Sequence, residues 1–310
     1  MHTQLLSPMY DIDGPDVRTA ASVGTEACDA TALLEFCDVG FGFDEDPCGL
    51  FGDVNLTICQ GEVVAIQGDN GTGKSCLIRL AMGIYPPRVG RIRLFGRPPG
   101  HHDHIPRLGF VGGVPQADGD LPMPPDLPIT LFRNIVSASL SDAGADLAWA
   151  GFVAEELQLD APSVRGKKFG QLSKGWQLRF QLWAALAKPV TLLLLDEPFD
   201  GLFEDIKPTV FNLLREVVRR NEAAVLLVTH HPSEAFDAGA GRLFKIKDQR
   251  LCEVPAGEFQ VSVMVDGKER VNSCRTISAK ELYEIAGSAA ASRFLSAVQF
   301  SAKRVIGGEG

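Results

Sequence analysis

One stretch, EVVAIQGDNGTGKSCLIRLAMGIY over residues 62–85, constrains the chain more than any other. An apolar, β-branched run ends at Gly68 and a helical pattern opens at Gly73. Between them stands Gly68-Asp69-Asn70-Gly71-Thr72-Gly73-Lys74-Ser75, followed by Cys76. The glycines let backbone N–H groups curl around a phosphate with no Cβ in the way, and the helix N-terminus adds partial positive charge. In such a P-loop Lys74 reaches phosphate oxygens and the Ser75 hydroxyl offers a ligand to Mg²⁺. Cys76 sits where a helix N-terminus can lower a thiol pKa, although a small packed residue is the plainer expectation. A strand, loop and helix in this order predict an α/β fold with the loop at a strand's carboxyl end.

The rest of the chain continues the alternation. RIRLFG and RLGFVGG read as short strands, as do TLLLLDEP (191–198), AAVLLVTH (223–230) and RLFKIKDQRL (242–251). Between two of them Val210, Phe211, Leu213, Leu214, Val217 and Val218 fall on one helical face. The pattern predicts a mainly parallel core sheet with an antiparallel β edge. From about residue 117 to 187 the signal changes: the Pro-rich DLPMPPDLP leads into TLFRNIVSASL and DLAWAGFVAEELQL, read as an inserted helical subdomain. Residues 1–30 read as a polar, disordered tail. Residues 256–310 read as a small appendage, in which Phe259, Val261, Val263 and Val265 alternate before an Asp266-Gly267 turn, and Ser278 and Glu281 form a capping box.

Composition excludes some functions. No apolar run approaches the ~18–20 residues that cross a bilayer. The formal charge of −9 argues against a surface that wraps nucleic acid. Seven cysteines with no CxxC pair are expected to be reduced thiols of an intracellular protein. The run His101-His102-Asp103-His104 has metal-ligand residue types but no matching second cluster, so a solvated loop is expected.

Two further motifs give the P-loop its context. LLLLDE carries Asp196 to the end of a buried strand, where it can hold a Mg²⁺ shell, and sets Glu197 one residue on to polarise a water. About twenty residues before it lies Leu172-Ser173-Lys174-Gly175-Trp176-Gln177, a second anion-facing turn at a helix start, and Thr229-His230 follows the next strand. Together, in this order over about residues 31–255, these motifs resemble those of ATP-binding-cassette (ABC) ATPases, a P-loop NTPase family.

That resemblance implies an Mg-ATP hydrolase working as a pair of cassettes, in which the signature loop, usually LSGGQ, touches the ATP held by the other cassette. Ser173, Lys174 and Gly175 would then serve a neighbour's γ-phosphate, with Lys174 adding charge and Trp176 either shaping that site or packing on the subdomain. Gln116 falls at the Q-loop, linking Mg²⁺ and the attacking water to the helical subdomain. His230 falls at the switch histidine, with His231 a solvated neighbour. Phe43 is the expected adenine-stacking ring, and Phe41 competes with it. The family's PTSGLD reads Pro198-Phe199-Asp200-Gly201-Leu202-Phe203 here, so Phe203 replaces an aspartate that works across the dimer and would instead pack on the partner.

The implied partners are a second cassette, in a homodimer or heterodimer, and separate transmembrane transporter subunits, placing the chain on the cytoplasmic face of a membrane. The LSKG variant is similar to a subset of export-type cassettes, so the resemblance leans to export. Alternatives are a soluble ABC ATPase acting on nucleic acid or ribosomes, or a regulatory cassette in a heterodimer. One P-loop, no heptad run and the acidic balance favour transport, and nucleic acid is not an expected partner.

Overall fold

Strands β6 (Leu192–Asp196) and β7 (Ala224–Val228) bury both their faces, and two apolar cores, one on each side of the main sheet, follow from that. The structure, a computed structural model, describes residues 31–43, 46, 48–112 and 123–254, together with the backbone of 257–265, 268–277 and 298–304. Strands β1 (Ala32–Phe41), β2 (Phe51–Cys59) and β4 (Val89–Leu94) form an antiparallel sheet in the order β2-β1-β4. The main sheet contains β3 (Val63–Gln67), β5 (Leu108–Val111), β6 (Leu192–Asp196), β7 (Ala224–Val228), β8 (Arg242–Lys247) and β9 (Arg250–Glu253). Its order is β5-β6-β7-β3-β8-β9, parallel throughout except for the β8–β9 pair at one edge.

The period of two in the strands divides the core. Leu193 and Leu195 of β6 face one apolar cluster while Leu192 and Leu194 face the other. Val225 and Leu227 of β7 separate from Ala224, Leu226 and Val228 in the same way. On one side lies α1 (Lys74–Ala81), whose Leu77, Ile78 and Leu80 share a cluster with Phe36, Ile58 and Leu94 of the antiparallel sheet. The antiparallel sheet therefore caps the P-loop helix and holds it against the main sheet.

On the other side the cluster runs from the main sheet into α2 (Ile129–Asp142), α3 (Leu147–Glu156) and α4 (Lys174–Leu186). Aromatic rings join them, with Phe132 edge-on to Phe169 at 5.2 Å and to Phe180 at 5.9 Å. The indoles of Trp149 and Trp183 donate to the carbonyls of Leu186 and Ala150 at 2.9 and 3.0 Å, so burying them strands no polar group. Gly112 N donates to Gln181 Oε1 of α4 at 3.1 Å, tying the end of β5 to this helical region.

Helix α5 (Lys207–Asn221) buries the expected face, with one graded exception: Val217 is fully buried and Val218 only partly so. Val217→Ala is expected to lower the unfolding free energy by about 2 kcal/mol, the worth of two buried methyl groups and a small cavity. Val218→Ala should cost distinctly less, and urea unfolding of the two variants compares them directly. Helix α6 (Pro232–Asp237) follows β7.

Strands β10 (Gly257–Val265), β11 (Lys268–Ile277) and β12 (Val298–Arg304) form a separate antiparallel sheet in the order β11-β10-β12. Val265 pairs with Lys268, which leaves a two-residue connection where the Asp266-Gly267 turn was expected. The polar VQFSAKR of β12 gave no strand signal, yet it pairs with β10 along its length. Residues 1–30, Gln116, Asp266-Gly267, Ser278 and Glu281 lie outside the described residues. Cys37, Cys48 and Cys252 are free thiols, but Cys59 is disulfide-bonded, so the expectation of fully reduced cysteines fails there.

Candidate functional site

β3 ends at Gln67 and releases the chain into the P-loop, which closes at α1. Gly73 has φ +91°, and a Cβ there would stand 2.7 Å from Leu50 Cδ2 and 2.9 Å from Phe51 Cε1. Only glycine satisfies both the backbone and the space. Lys74 is 5% exposed, and its ammonium donates to the carbonyls of Gly68 at 2.8 Å and Asp69 at 2.9 Å. Glu197 Oε1 lies 3.8 Å from the same nitrogen.

β6 and β7 bring the acidic and imidazole groups to this loop. Asp196 ends β6, and its Oδ1 accepts from Ser75 Oγ at 2.9 Å. Two hard oxygen donors side by side at a phosphate loop fit Mg²⁺, which Ser75 and Asp196 would hold. Glu197 takes a left-handed backbone at φ 49°, pinned by its N–H donating to Val228 O at 2.9 Å. Its Oε2 then lies 3.1 Å from His230 Nδ1. Such strain in a non-glycine residue costs about 1 kcal/mol or more and is typical of functional turns.

A cavity of about 330 Å³ opens here, and Phe43, Asn70, Gly71, Lys74, Ser75 and Glu197 are on its wall. A larger hollow of about 660 Å³ lies between α3 and α5 and carries none of these groups. Phe43 is 59% exposed at the cavity rim, edge-on to Phe41 and Tyr85. Phe41 is buried and stacked on Tyr85 at 5.5 Å. Of the two rings, Phe43 is the one a base can reach.

The signature loop stands apart from this cavity, whose wall includes none of its residues. Ser173 is the exposed N-cap of α4, and its hydroxyl caps no helix N–H. Lys174 Nζ donates to Asp200 Oδ2. Gly175 is buried against the chain after β6, where a Cβ would come 2.5 Å from Gly201 O. Trp176 packs on the helical core with the Arg179 guanidinium 4.4 Å from its ring.

Comparison with known proteins supplies the family. The sequence model of the family described as "ABC transporter" matches residues 51–200. A zinc import ATP-binding protein of Cereibacter sphaeroides is 33% identical over 58% of this chain, and the match spans 66% of that protein, just under two thirds. A zinc transport system ATP-binding protein of Treponema pallidum is 32% identical over 65% of this chain and 74% of its own length. The chain belongs to the ABC transporter ATP-binding family. A solved ATP-binding subunit of an ABC transporter shares the cassette fold, at TM-score 0.60 and 20% identity over 82% of this chain and 99% of that one.

Some groups around the cassette's site escaped the sequence reading. Thr229 Oγ1 donates to the buried Glu234 at 2.9 Å and accepts from the N–H of His231 at 3.1 Å, and Lys207 donates to Glu234 at 3.1 Å. Burial works against the Lys207 charge, but hydrogen bonds to Glu204 and Glu234 outweigh it and hold its pKa above the usual lysine range. This network fixes the turn that carries His230. Asp200 was also passed over. Its hydrogen bond from Lys174 holds it below the usual carboxylate range against a smaller effect of burial, with the charges of Lys174, His230 and His231 adding to the shift. Neither pattern has a motif, since each depends on residues that only the fold brings together. Phe203 is 65% exposed beside this region. In the His101-His102-Asp103 cluster, the Asp103 carboxylate already pairs with Arg97 at 3.2 Å, and His104 is buried against Pro98 O.

Proposed function

We propose that this cassette is the ATP-hydrolysing subunit of an ABC transporter, turning ATP and water into ADP and phosphate and passing the resulting closure to separate transmembrane subunits. One observation carries the reading: Lys74, Ser75 and Glu197 line a single cavity at the P-loop, with Asp196 hydrogen-bonded to Ser75 and His230 to Glu197. Lys74 exchanges its carbonyl partners for phosphate oxygens of ATP. Bound Mg²⁺ supplies neutralising charge, held through Ser75 and Asp196, with Gln116 as its proposed link to water. Glu197 orients the attacking water and takes its proton, while His230 steadies the carboxylate and donates to the transferring phosphoryl group.

The site is completed by a second cassette. Ser173 and the N–H of Gly175, at the positive end of α4, meet the γ-phosphate of that neighbour's ATP. Phe43 stacks on adenine. No helix among the described residues is long and apolar enough to cross a membrane, and we assign the path for the substrate to separate transmembrane subunits. We place the chain on the cytoplasmic face of that membrane. The zinc import name of one relative gives the lean to export no support, and import is the direction it favours.

The test is purification of the tagged chain from its native host, followed by phosphate-release assays on whatever complex is recovered. A multi-span membrane protein in the complex and Mg-dependent ATP turnover are expected. Recovery of ribosomes, RNA or DNA in its place would overturn the transport reading in favour of a soluble ABC ATPase.

A further inference from the structure

Two departures from the family pattern meet in space. The signature loop has Lys174 where LSGGQ has glycine, and the segment after Glu197 has Asp200 where PTSGLD has serine. These two side chains form an ion pair. The contact is not confined to their charges. A Cβ built on Gly201 would lie 3.1, 3.2 and 3.4 Å from Cδ, Cγ and Cβ of Lys174, so the lysine stem lies directly over that glycine. One built on Gly175 would lie 2.5 Å from Gly201 O. Phe199 and Leu202, on either side of Asp200 and Gly201, are buried in the core. Ionic, aliphatic and backbone contacts therefore join the two segments, one of them anchored.

We infer that Lys174 and Asp200 are a positioning pair that locks the signature loop to the segment leading out of Glu197, with Lys174 serving Asp200 rather than phosphate. The inference rests on the ATPase reading above. Its physical content is electrostatic. A bare Asp200 carboxylate near the start of α4 would repel the phosphate that this helix end is placed to attract, and Lys174 cancels it. The backbone N–H of Asp200 donates to Glu197 O at 3.2 Å, so this carboxylate stands on the turn that joins the loop serving a neighbour's ATP to the base serving the chain's own. The pair thus couples the two sites within one chain, where Phe203 has removed the aspartate that works between chains.

Steady-state ATP turnover of four forms tests this: wild type, Lys174→Ala, Asp200→Ala and the double variant. Lys174→Ala should lower kcat about tenfold, a size common for coupled neighbouring charges, with KM for ATP little changed. Adding Asp200→Ala should restore most of that loss, because the repelling charge leaves with its partner. A double variant as slow as Lys174→Ala, or slower, would overturn the inference and make Lys174 a phosphate ligand. The pair is substantially exposed, with side chains 63% and 47% accessible, so none of the variants should unfold. If wild type shows no turnover even in the complex recovered from its native host, the ATPase reading fails on its own. Amide hydrogen exchange then still reads the lock, which predicts faster exchange in both residues 173–177 and 199–203 of Asp200→Ala. Unchanged exchange in either segment would overturn it.

Discussion

Glu197→Gln should lower steady-state phosphate release by about a thousandfold while Mg-ATP stays bound, the loss expected when a general base is removed without changing its shape. The carboxylate lies 3.8 Å from Lys74 Nζ and 3.1 Å from His230 Nδ1, on the wall of the same cavity as Lys74. Glutamine keeps the volume and the left-handed turn but cannot take a proton from water. It also removes a negative charge that opposes the γ-phosphate, so the ATP-bound state should accumulate. Light scattering in Mg-ATP then decides how the second cassette is supplied. A stable dimer of the variant, with a wild type that hydrolyses and separates, means that two identical chains complete each other's sites. A variant that binds ATP but remains monomeric means that a different cassette, or the membrane subunits, must bring the second site. A fall in turnover of less than about tenfold would remove Glu197 from the role of base.

What the sequence made legible was whatever is local and periodic. The P-loop between β3 and α1 was readable because its glycines, lysine and serine act through consecutive backbone groups. β6 and β7 were readable because a strand buried on both faces must be apolar at every position. The antiparallel strands were harder. β4, VGRIRL, was read as a strand from RIRLFG although only Ile92 and Leu94 are buried, but its pairing to β1, about fifty to sixty residues earlier, leaves no local trace. β12 was missed altogether, being polar and defined only by its partner β10. Within the site, single residues with fixed spacing from a motif were found, whereas the Thr229–Glu234–Lys207 network and the Lys174–Asp200 pair were not. Those depend on α5, α6 and α4 arriving from separate directions. Trp176 shows the converse case: its departure from LSGGQ left a changed site and packing as alternatives, and the contact with Arg179 that accompanies it is one only the fold displays.

Gly175→Ala separates helix preference from site geometry, because the two push in opposite directions. Gly175 lies in the first turn of α4, and alanine there gains helix propensity of up to about 1 kcal/mol. The added methyl, however, would lie 2.5 Å from Gly201 O, closer than any real Cβ contact with a carbonyl oxygen. That oxygen has little room to retreat, since Gly201 itself sits at φ +94° and its neighbour Leu202 is buried in the core. The strain must move the signature loop off the segment that follows Glu197, and the phosphate-facing N–H groups move with it. A shift of about 1 Å in such groups costs on the order of a hundredfold in rate, which is the loss of turnover expected for the variant. Nucleotide binding at the P-loop should be unchanged, because the cavity wall includes neither Gly175 nor Gly201. Gly151→Ala in α3 supplies the control: a Cβ there meets nothing within 4 Å, so the same exchange should stabilise the helix by about 0.5–1 kcal/mol and leave turnover alone. Turnover of Gly175→Ala within about threefold of wild type would mean that the two segments separate freely, and that their contact plays no part in presenting the signature loop to ATP.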